Sequence, residues 1–169
     1  MERTEADKKC VVYDSPILEN NLQITGHPIV ELFLSANQPD ADVFVYLSEV
    51  DEDGRAYYIA EGALRAGWHR ELPDDEQVDS LYDIKPDLPW HGFDEGGYVI
   101  NPLANDAIIS MKFSLTPTSW VIKKGHKLRI SIAGADNTNF EFNPAICPNQ
   151  LLEDCKETTL FIHSGGNYL

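Results

Sequence analysis

The sequence has few cysteines and no long apolar run, and each shortage excludes a class of protein. The three cysteines, Cys10, Cys147 and Cys155, form no CxxC pair, which argues against a disulfide framework and a zinc site. No stretch approaches the roughly 18 consecutive apolar residues that a membrane-spanning helix needs. The charged residues 1–9 lack the apolar stretch of a secretory signal, and together these absences favour a cytoplasmic protein.

Basic residues are also scarce. The chain has 13 Lys and Arg residues against 28 Asp and Glu residues, which gives a net charge of −15. A phosphate backbone or an anionic lipid surface repels such a chain, so we expect binding neither to nucleic acid nor to membranes. Hydrophobic residues make up 43% of the 169 residues, which is enough for one globular domain.

Short strands separated by turn residues dominate the pattern that is present. Apolar or alternating runs predict strands at residues 11–13, 29–36, 43–50, 57–64, 108–115, 127–133 and 158–163. The run at 43–50 is apolar on both parities, which predicts a central strand followed by a hairpin turn at residues 51–54. One short helix is predicted at residues 74–84. The pattern predicts an all-β sandwich of the jelly-roll type.

Two of the predicted strands alternate with period two, so they predict which side chains form the core. The inward parity comprises Ile109, Met111, Phe113, Leu128, Ile130 and Ile132. The outward parity of the later strand comprises Lys127, Arg129 and Ser131, which we expect to face solvent.

One long irregular loop, residues 66–106, interrupts the strands. It holds ten acidic and two basic residues, and a loop of this length in a compact domain is often functional. Trp68, His69 and Arg70 form one group of aromatic and basic side chains, and Trp90 and His91 form another. Such side chains suit either a ligand rim or an interface between domains. We therefore treat these five residues as candidates for a substrate cleft or an interface.

Catalytic and metal-binding signatures are missing from the sequence. No G-x-S-x-G motif occurs, and His163 and Ser164 are neighbours on one strand, where their side chains point to opposite faces. The five histidines are scattered without metal-ligand spacing, so we expect no metal and no cofactor. The sequence therefore predicts no catalytic residue in this chain.

Several phrases occur together in an order that resembles a known family. They lie at residues 12–18, 40–43, 47–55, 61–66, 115–120 and 124–136. Over residues 10–169 they are similar to the C-terminal domain of the CocE/NonD (cocaine esterase-like) and X-Pro dipeptidyl peptidase serine hydrolases. One departure is Lys127, where the family phrase usually carries Arg, whose guanidinium binds in a bidentate manner.

The resemblance implies a galactose-binding-like β-sandwich that packs against an upstream α/β-hydrolase domain. That upstream domain carries the Ser–Asp–His triad, and none of the triad positions maps onto this sequence. The implied role is a non-catalytic domain that helps to form the substrate cleft and the domain or oligomer contacts. The implied sandwich also extends beyond residues 10–169, so edge strands would be missing at both ends.

A second hypothesis uses the same fold differently. Sandwiches host many functions, and a free-standing module that binds carbohydrate or another small ligand fits the same architecture. The partner implied by the resemblance is a catalytic domain, and whether the chain forms a homo-oligomer stays open.

Overall fold

The structure, a computed structural model, describes residues 1–73, 88–94, 96–149 and 151–165. Within these ranges the regular secondary structure consists almost entirely of strands, and α1 (Thr4–Asp7) is its one α-helix. The strands are β1 (Val11–Asp14), β2 (Leu22–Gly26), β3 (Ile29–Ala36), β4 (Asp42–Val50), β5 (Ala56–Arg65), β6 (Ile109–Ser114), β7 (Thr118–Ile122), β8 (Lys127–Ala133) and β9 (Leu160–His163). The all-β class predicted from the sequence is confirmed. No helix among the described residues is long and apolar enough to cross a membrane.

The strands belong to two compact units. The first unit comprises residues 1–28, 44–63 and 115–133, and the second comprises residues 29–43, 64–114 and 134–169. The first unit contains most of an antiparallel sheet with the order β1-β8-β4-β5 and the separate pair β2-β7. The second unit contains the antiparallel sheet β6-β3-β9.

Strand β4 is the central strand that its apolar sequence predicts. It lies between β8 and β5, and every residue from 43 to 50 is buried. The predicted hairpin turn follows, with Gly54 at a φ of 82°, where a side chain would be strained. The Asp51 carboxylate accepts hydrogen bonds from the backbone N–H groups of Asp53 and Arg55, at 3.0 and 2.9 Å. The turn is therefore closed by an aspartate that satisfies its backbone donors.

The outer face of β8 differs from the prediction. Ser131 is fully buried, and the Arg129 side chain is only 18% exposed. The reason is the N-terminal segment, because α1 brings an Asp7 carboxylate oxygen within 3.6 Å of Arg129 Nη1. Arg129 also pairs with Asp14 on β1, with its Nε 2.7 Å from Oδ1. The prediction that this parity faces solvent was therefore wrong for Arg129 and Ser131, whereas the Lys127 side chain is 39% exposed.

The predicted core is confirmed for half of its members. Met111, Phe113 and Ile132 are at most 4% exposed. The other three are only half-buried, namely Ile109, Leu128 and Ile130. The period-two assignment therefore found the buried parity of β6, whereas β8 shows no alternation of burial along the strand.

Some elements were not predicted at all. Strands β2 and β7 are five residues each and pair only with each other within the described chain. Such short runs give too little alternation to be separated from loops. The helix predicted at residues 74–84 lies outside the described residues.

The cysteine prediction was wrong for one pair. Cys147, which is 1% exposed, forms a disulfide with Cys155, and Cys10 lies outside any disulfide. The residues that flank the two cysteines also meet, because the Lys156 N–H donates to the Ile146 carbonyl at 2.9 Å. Sequence spacing alone does not show such a return of the backbone.

Candidate functional site

The two predicted groups of aromatic and basic residues meet in the second unit. Glu71 and His91 form an isolated antiparallel bridge, and the Leu72 N–H donates to the Trp90 carbonyl at 2.8 Å. This pairing joins two short stretches that are about twenty residues apart in sequence. Trp68 ends a short 3-10 helix, Ala66–Trp68, immediately before the first stretch.

Three aromatic rings pack together at this place, and we call Trp68, Phe93 and Tyr98 the aromatic surface. The Trp68 ring lies 4.8 Å from the Tyr98 ring and 5.5 Å from the Phe93 ring, both edge to face. Such arrangements add to the stability that burial supplies. Phe93 is nevertheless 69% exposed, whereas Trp68 and Trp90 are half-buried. The cluster is thus ordered and open on one side.

A buried carboxylate, that of Asp40, holds the Tyr98 member of the aromatic surface in place. Asp40 is 1% exposed and accepts hydrogen bonds from the Ala41 N–H at 2.8 Å, the Gly67 N–H at 3.1 Å and the Tyr98 hydroxyl at 2.6 Å. The pKa of Tyr98 is raised to about 12, chiefly by burial and secondly by the hydrogen bond to Asp40. The phenol therefore remains a hydrogen-bond donor at neutral pH. Asp40 was not among the predicted site residues.

Gly67 is required by close packing. A Cβ at this position would overlap the Tyr98 ring. The Gly67 carbonyl also accepts a hydrogen bond from the Val99 N–H at 2.8 Å. The 3-10 helix and the chain around Tyr98 are therefore held side by side by backbone contact.

The remaining predicted residues line the same region. His69 Nδ1 lies 2.8 Å from the Ala66 carbonyl, and burial lowers the pKa of His69, so its ring is neutral and donates through Nδ1. Arg70 is exposed. His91 lies with Nδ1 3.0 Å from the Arg70 carbonyl and Nε2 3.0 Å from the Lys112 carbonyl on β6. All five predicted residues thus fall in one neighbourhood of the second unit.

An ion pair lies directly before this region in the chain. Arg65, the last residue of β5, binds Asp42 in a bidentate manner, with distances of 2.7 and 3.2 Å. The hydrogen bond to Asp42 raises the pKa of Arg65. Asn143 adds a further bond to Asp42 at 3.3 Å. The position at which the irregular segment leaves β5 is therefore fixed.

The residues that could suggest hydrolysis are arranged differently. The hydrogen-bond partner of His163 is Ser35 on the neighbouring strand β3, and 2.9 Å separate His163 Nε2 from the Ser35 hydroxyl oxygen. It is not Ser164. Ser35 is 8% exposed, so its hydroxyl has no open approach for a substrate. Ser164 is exposed and directly follows β9. The structure therefore does not bring Ser164 and His163 together as a catalytic pair.

A second buried carboxylate, in the first unit, was also missed from the sequence. Glu49 accepts bonds from Trp120 Nε1 at 2.8 Å, the Lys123 N–H at 3.0 Å and His126 Nδ1 at 2.7 Å. Burial alone would raise the pKa of Glu49, but these three donors outweigh it and hold the pKa below its ordinary value of 4.5. Glu49 thus fixes the turn between β7 and β8. An acidic residue inside an apolar strand is the signal that could have found it.

Comparison with known proteins now places the chain in a family. Residues 2–169 match the profile of the X-Pro dipeptidyl-peptidase C-terminal non-catalytic domain. The chain belongs to this family. It is also 38% identical, over 147 residues, to the "Putative serine esterase Mb1866c" of Mycobacterium bovis. That stretch covers 87% of this chain and 22% of the relative, so the chain spans about a fifth of the length of the relative.

Two solved structures share the fold. A CocE/NonD family hydrolase from Staphylococcus aureus superposes with a TM-score of 0.67 at 20% identity, covering 99% of this chain and 30% of that one. An aminopeptidase from a marine sediment archaeon, Thaumarchaeota archaeon, gives a TM-score of 0.70 at 18% identity, covering 95% and 25%. In both, the matching part is a minor portion of a longer chain.

Proposed function

We propose that this non-catalytic domain contacts a serine hydrolase catalytic domain through the aromatic surface and borders the substrate cleft there. The observation that carries the proposal is the combination of exposure and order at Phe93. Its ring is 69% exposed, yet it packs on Trp68, which Tyr98 and Asp40 hold in turn. Ordered aromatic side chains lose little entropy on contact and are frequent among residues that dominate binding energy.

Charge supports a partner of a particular kind. Arg70 beside the aromatic surface is exposed, and the chain as a whole carries a net charge of −15. A partner face with apolar side chains and a carboxylate for Arg70 complements this region, whereas a strongly acidic face would be repelled by the rest of the chain. The relatives make the catalytic portion of a longer hydrolase the natural occupant, because this chain corresponds to about a fifth of such a protein.

The experiment uses the complete parent hydrolase with single substitutions. Phe93→Ala and Trp68→Ala should change the specificity constant for one substrate relative to another by about tenfold, the effect of losing one well-packed contact. Phe161→Ala is the matched control, because Phe161 on β9 is 50% exposed and lies outside the aromatic surface. Unchanged specificity and unchanged domain association in both variants would refute the proposal.

The free-standing binding module remains the competing function. An exposed aromatic ring such as Phe93 can also stack on a sugar ring, so the isolated chain should be tested against soluble oligosaccharides by titration calorimetry. A heat of oligosaccharide binding that is absent in the Phe93→Ala variant, together with no association with a catalytic domain, would favour the free-standing module. Contacts that form a homo-oligomer are part of the proposal, and the mass of the parent protein in solution tests them.

The proposal includes a cytoplasmic location, which the small number of cysteines favours. The Cys147–Cys155 disulfide weighs against it, because such bonds persist mainly in oxidising compartments. Alkylation of the protein taken directly from its native cells, followed by mass measurement, decides the matter. Alkylation of Cys147 and Cys155 in addition to Cys10 would support a reducing compartment, and a retained Cys147–Cys155 disulfide would refute it.

A further inference from the structure

His91 contacts two groups that can only accept hydrogen bonds. Its Nδ1 lies 3.0 Å from the Arg70 carbonyl oxygen, and its Nε2 lies 3.0 Å from the Lys112 carbonyl oxygen. A neutral imidazole carries one N–H and therefore satisfies one of these contacts, whereas the imidazolium donates from both nitrogens. Both contacts are therefore satisfied at the same time only when the ring carries two N–H groups.

We propose that His91 is a proton-dependent positioning residue, which in its protonated form clamps the chain around the aromatic surface to strand β6. The proposal concerns regulation of the surface assigned above and rests on that assignment for its functional meaning. Phe93 follows two residues later, with its ring 6.1 Å from the His91 ring. The clamp therefore sets the position of the most exposed member of the aromatic surface.

Loss of the proton should release one side of the clamp. The nitrogen that loses its hydrogen would face a carbonyl oxygen at 3.0 Å with two lone pairs opposed, which is repulsive. The Arg70 side is also held by the Glu71–His91 bridge and by the Leu72–Trp90 hydrogen bond. We therefore expect the contact with the Lys112 carbonyl to open first. The Glu71–His91 bridge and the Leu72–Trp90 hydrogen bond then lose the support of β6, so they should open more often.

Within the described part of the chain, the charged and titratable groups near His91 come from two elements. The irregular segment supplies His69, Arg70, Glu71 and Asp94, and β6 supplies Lys112. Glu71 and Lys112 partly neutralise each other, with 3.7 Å between the carboxylate and the ammonium. His69 is kept neutral chiefly by its burial, and its position beside His91 acts in the same direction.

The consequence is an interface that depends on pH. Histidine is the side chain that ordinarily changes its charge between about pH 5 and pH 8. On the acid side of that range the clamp keeps Trp90 and Phe93 in place, and on the basic side it loosens them. The aromatic surface should be best ordered for contact when His91 is charged.

The test uses the 169-residue chain alone, so that it can fail or succeed independently of docking to a hydrolase. Protection of the Leu72 amide against hydrogen exchange, corrected for the intrinsic exchange rate, reports whether the Trp90 carbonyl stays in place. We expect this protection to fall by about threefold or more as the pH rises from about 5 to about 8. The ¹⁵N signals of the ring, which distinguish imidazolium from neutral imidazole, should follow the same curve for His91.

Two variants complete the test. His91→Asn cannot be protonated, so its Leu72 protection should be low and independent of pH. His27→Asn is the matched control, because His27 contacts a single carbonyl, that of Leu115, and it should behave like the unmodified chain. Protection that is independent of pH in the unmodified chain, or that falls equally in His91→Asn, would overturn the proposal. If His91→Asn does not fold, the ring signals decide alone, and a neutral His91 ring with full Leu72 protection would overturn it.

Discussion

Two buried carboxylates organise the two units in different ways. In the first unit, Glu49 binds the turn between β7 and β8, and both strands are already positioned by pairing with β2 and β4. In the second unit, Asp40 binds Gly67 and Tyr98 in a segment that has only one isolated bridge among its described residues. Where the sheet supplies few hydrogen bonds, a buried carboxylate takes over their role.

We therefore expect the loss of the Asp40 carboxylate to lower the free energy of unfolding more than the loss of the Glu49 carboxylate. Removal of the Glu49 carboxylate leaves a turn whose ends remain paired in their strands. Removal of the Asp40 carboxylate leaves two buried backbone N–H groups, and the half-buried Tyr98 hydroxyl, without their acceptor. The cost of unsatisfied buried donors is larger than the gain from any one bond, so the second unit should suffer more.

Asp40→Ala should therefore have the largest effect. We expect a loss of about 3–5 kcal/mol in the free energy of unfolding, because three hydrogen bonds to a buried charged acceptor disappear together. Urea titration followed by circular dichroism measures it. Asp40→Asn, which keeps one side-chain acceptor, is the control and should lose distinctly less. A loss below about 1 kcal/mol in Asp40→Ala would show that water replaces the carboxylate.

Gly67→Ala should rank second. The added methyl group overlaps the Tyr98 ring, so we expect a loss of about 1–3 kcal/mol, as for other overpacked sites. Gly96→Ala is the matched control, because among the described residues its Cβ would meet only Asp94 Oδ1, at 3.5 Å, and its effect should stay within about 0.5 kcal/mol. Equal melting temperatures for the two variants would contradict the close packing of Gly67 on Tyr98.

Glu49 should show a smaller effect that depends on pH. The pKa of its carboxyl is lowered in the folded protein, so its contribution is present above the ordinary value of 4.5 and is lost as the pH falls through the lowered pKa. At neutral pH, Glu49→Gln should cost about 1–2 kcal/mol, since charge-assisted bonds become neutral ones. Urea titrations at neutral and acidic pH measure both effects. Acid should then destabilise the variant less than the unmodified chain, and parallel acid profiles would contradict this role.

The isolated chain should have no hydrolase activity, so substitutions of its serines should change nothing in a hydrolysis assay. The isolated chain should not turn over a simple activated ester above background, because Ser164 is not paired with His163 and Ser35 is buried. Ser164→Ala and Ser35→Ala should be indistinguishable from the unmodified chain in a spectrophotometric assay. Turnover that either substitution abolishes would contradict the non-catalytic assignment.

Sequence patterns predicted the strands where alternation runs over enough residues. Strands β3 and β8 were predicted with the bounds that the structure has, and β4 was predicted as a central strand. The alternation is a local property, so it survives without knowledge of the fold. The exposure of Arg129 on β8 was mispredicted because its partner Asp7 lies in α1, more than a hundred residues earlier in the chain.

The candidate site was predicted in its residue types but not in its construction. Aromatic and basic residues in a long loop identified Trp68, Arg70 and His91, and the structure places them in one neighbourhood. Asp40 was not predicted as a site residue because it lies in a turn-like sequence, where aspartate is common. Only its burial beneath Tyr98 distinguishes it.

The sequence by itself determined the all-β class, the family phrases and the absence of a nucleophile motif, since these depend on local order and residue type. The tertiary structure decided which carboxylates are buried, that Cys147 pairs with Cys155, and that His91 lies between two carbonyl oxygens. Each of these depends on segments that meet only after the chain has folded back. Spacing along a chain carries no record of such meetings, because burial and hydrogen-bond geometry are properties of neighbours in space.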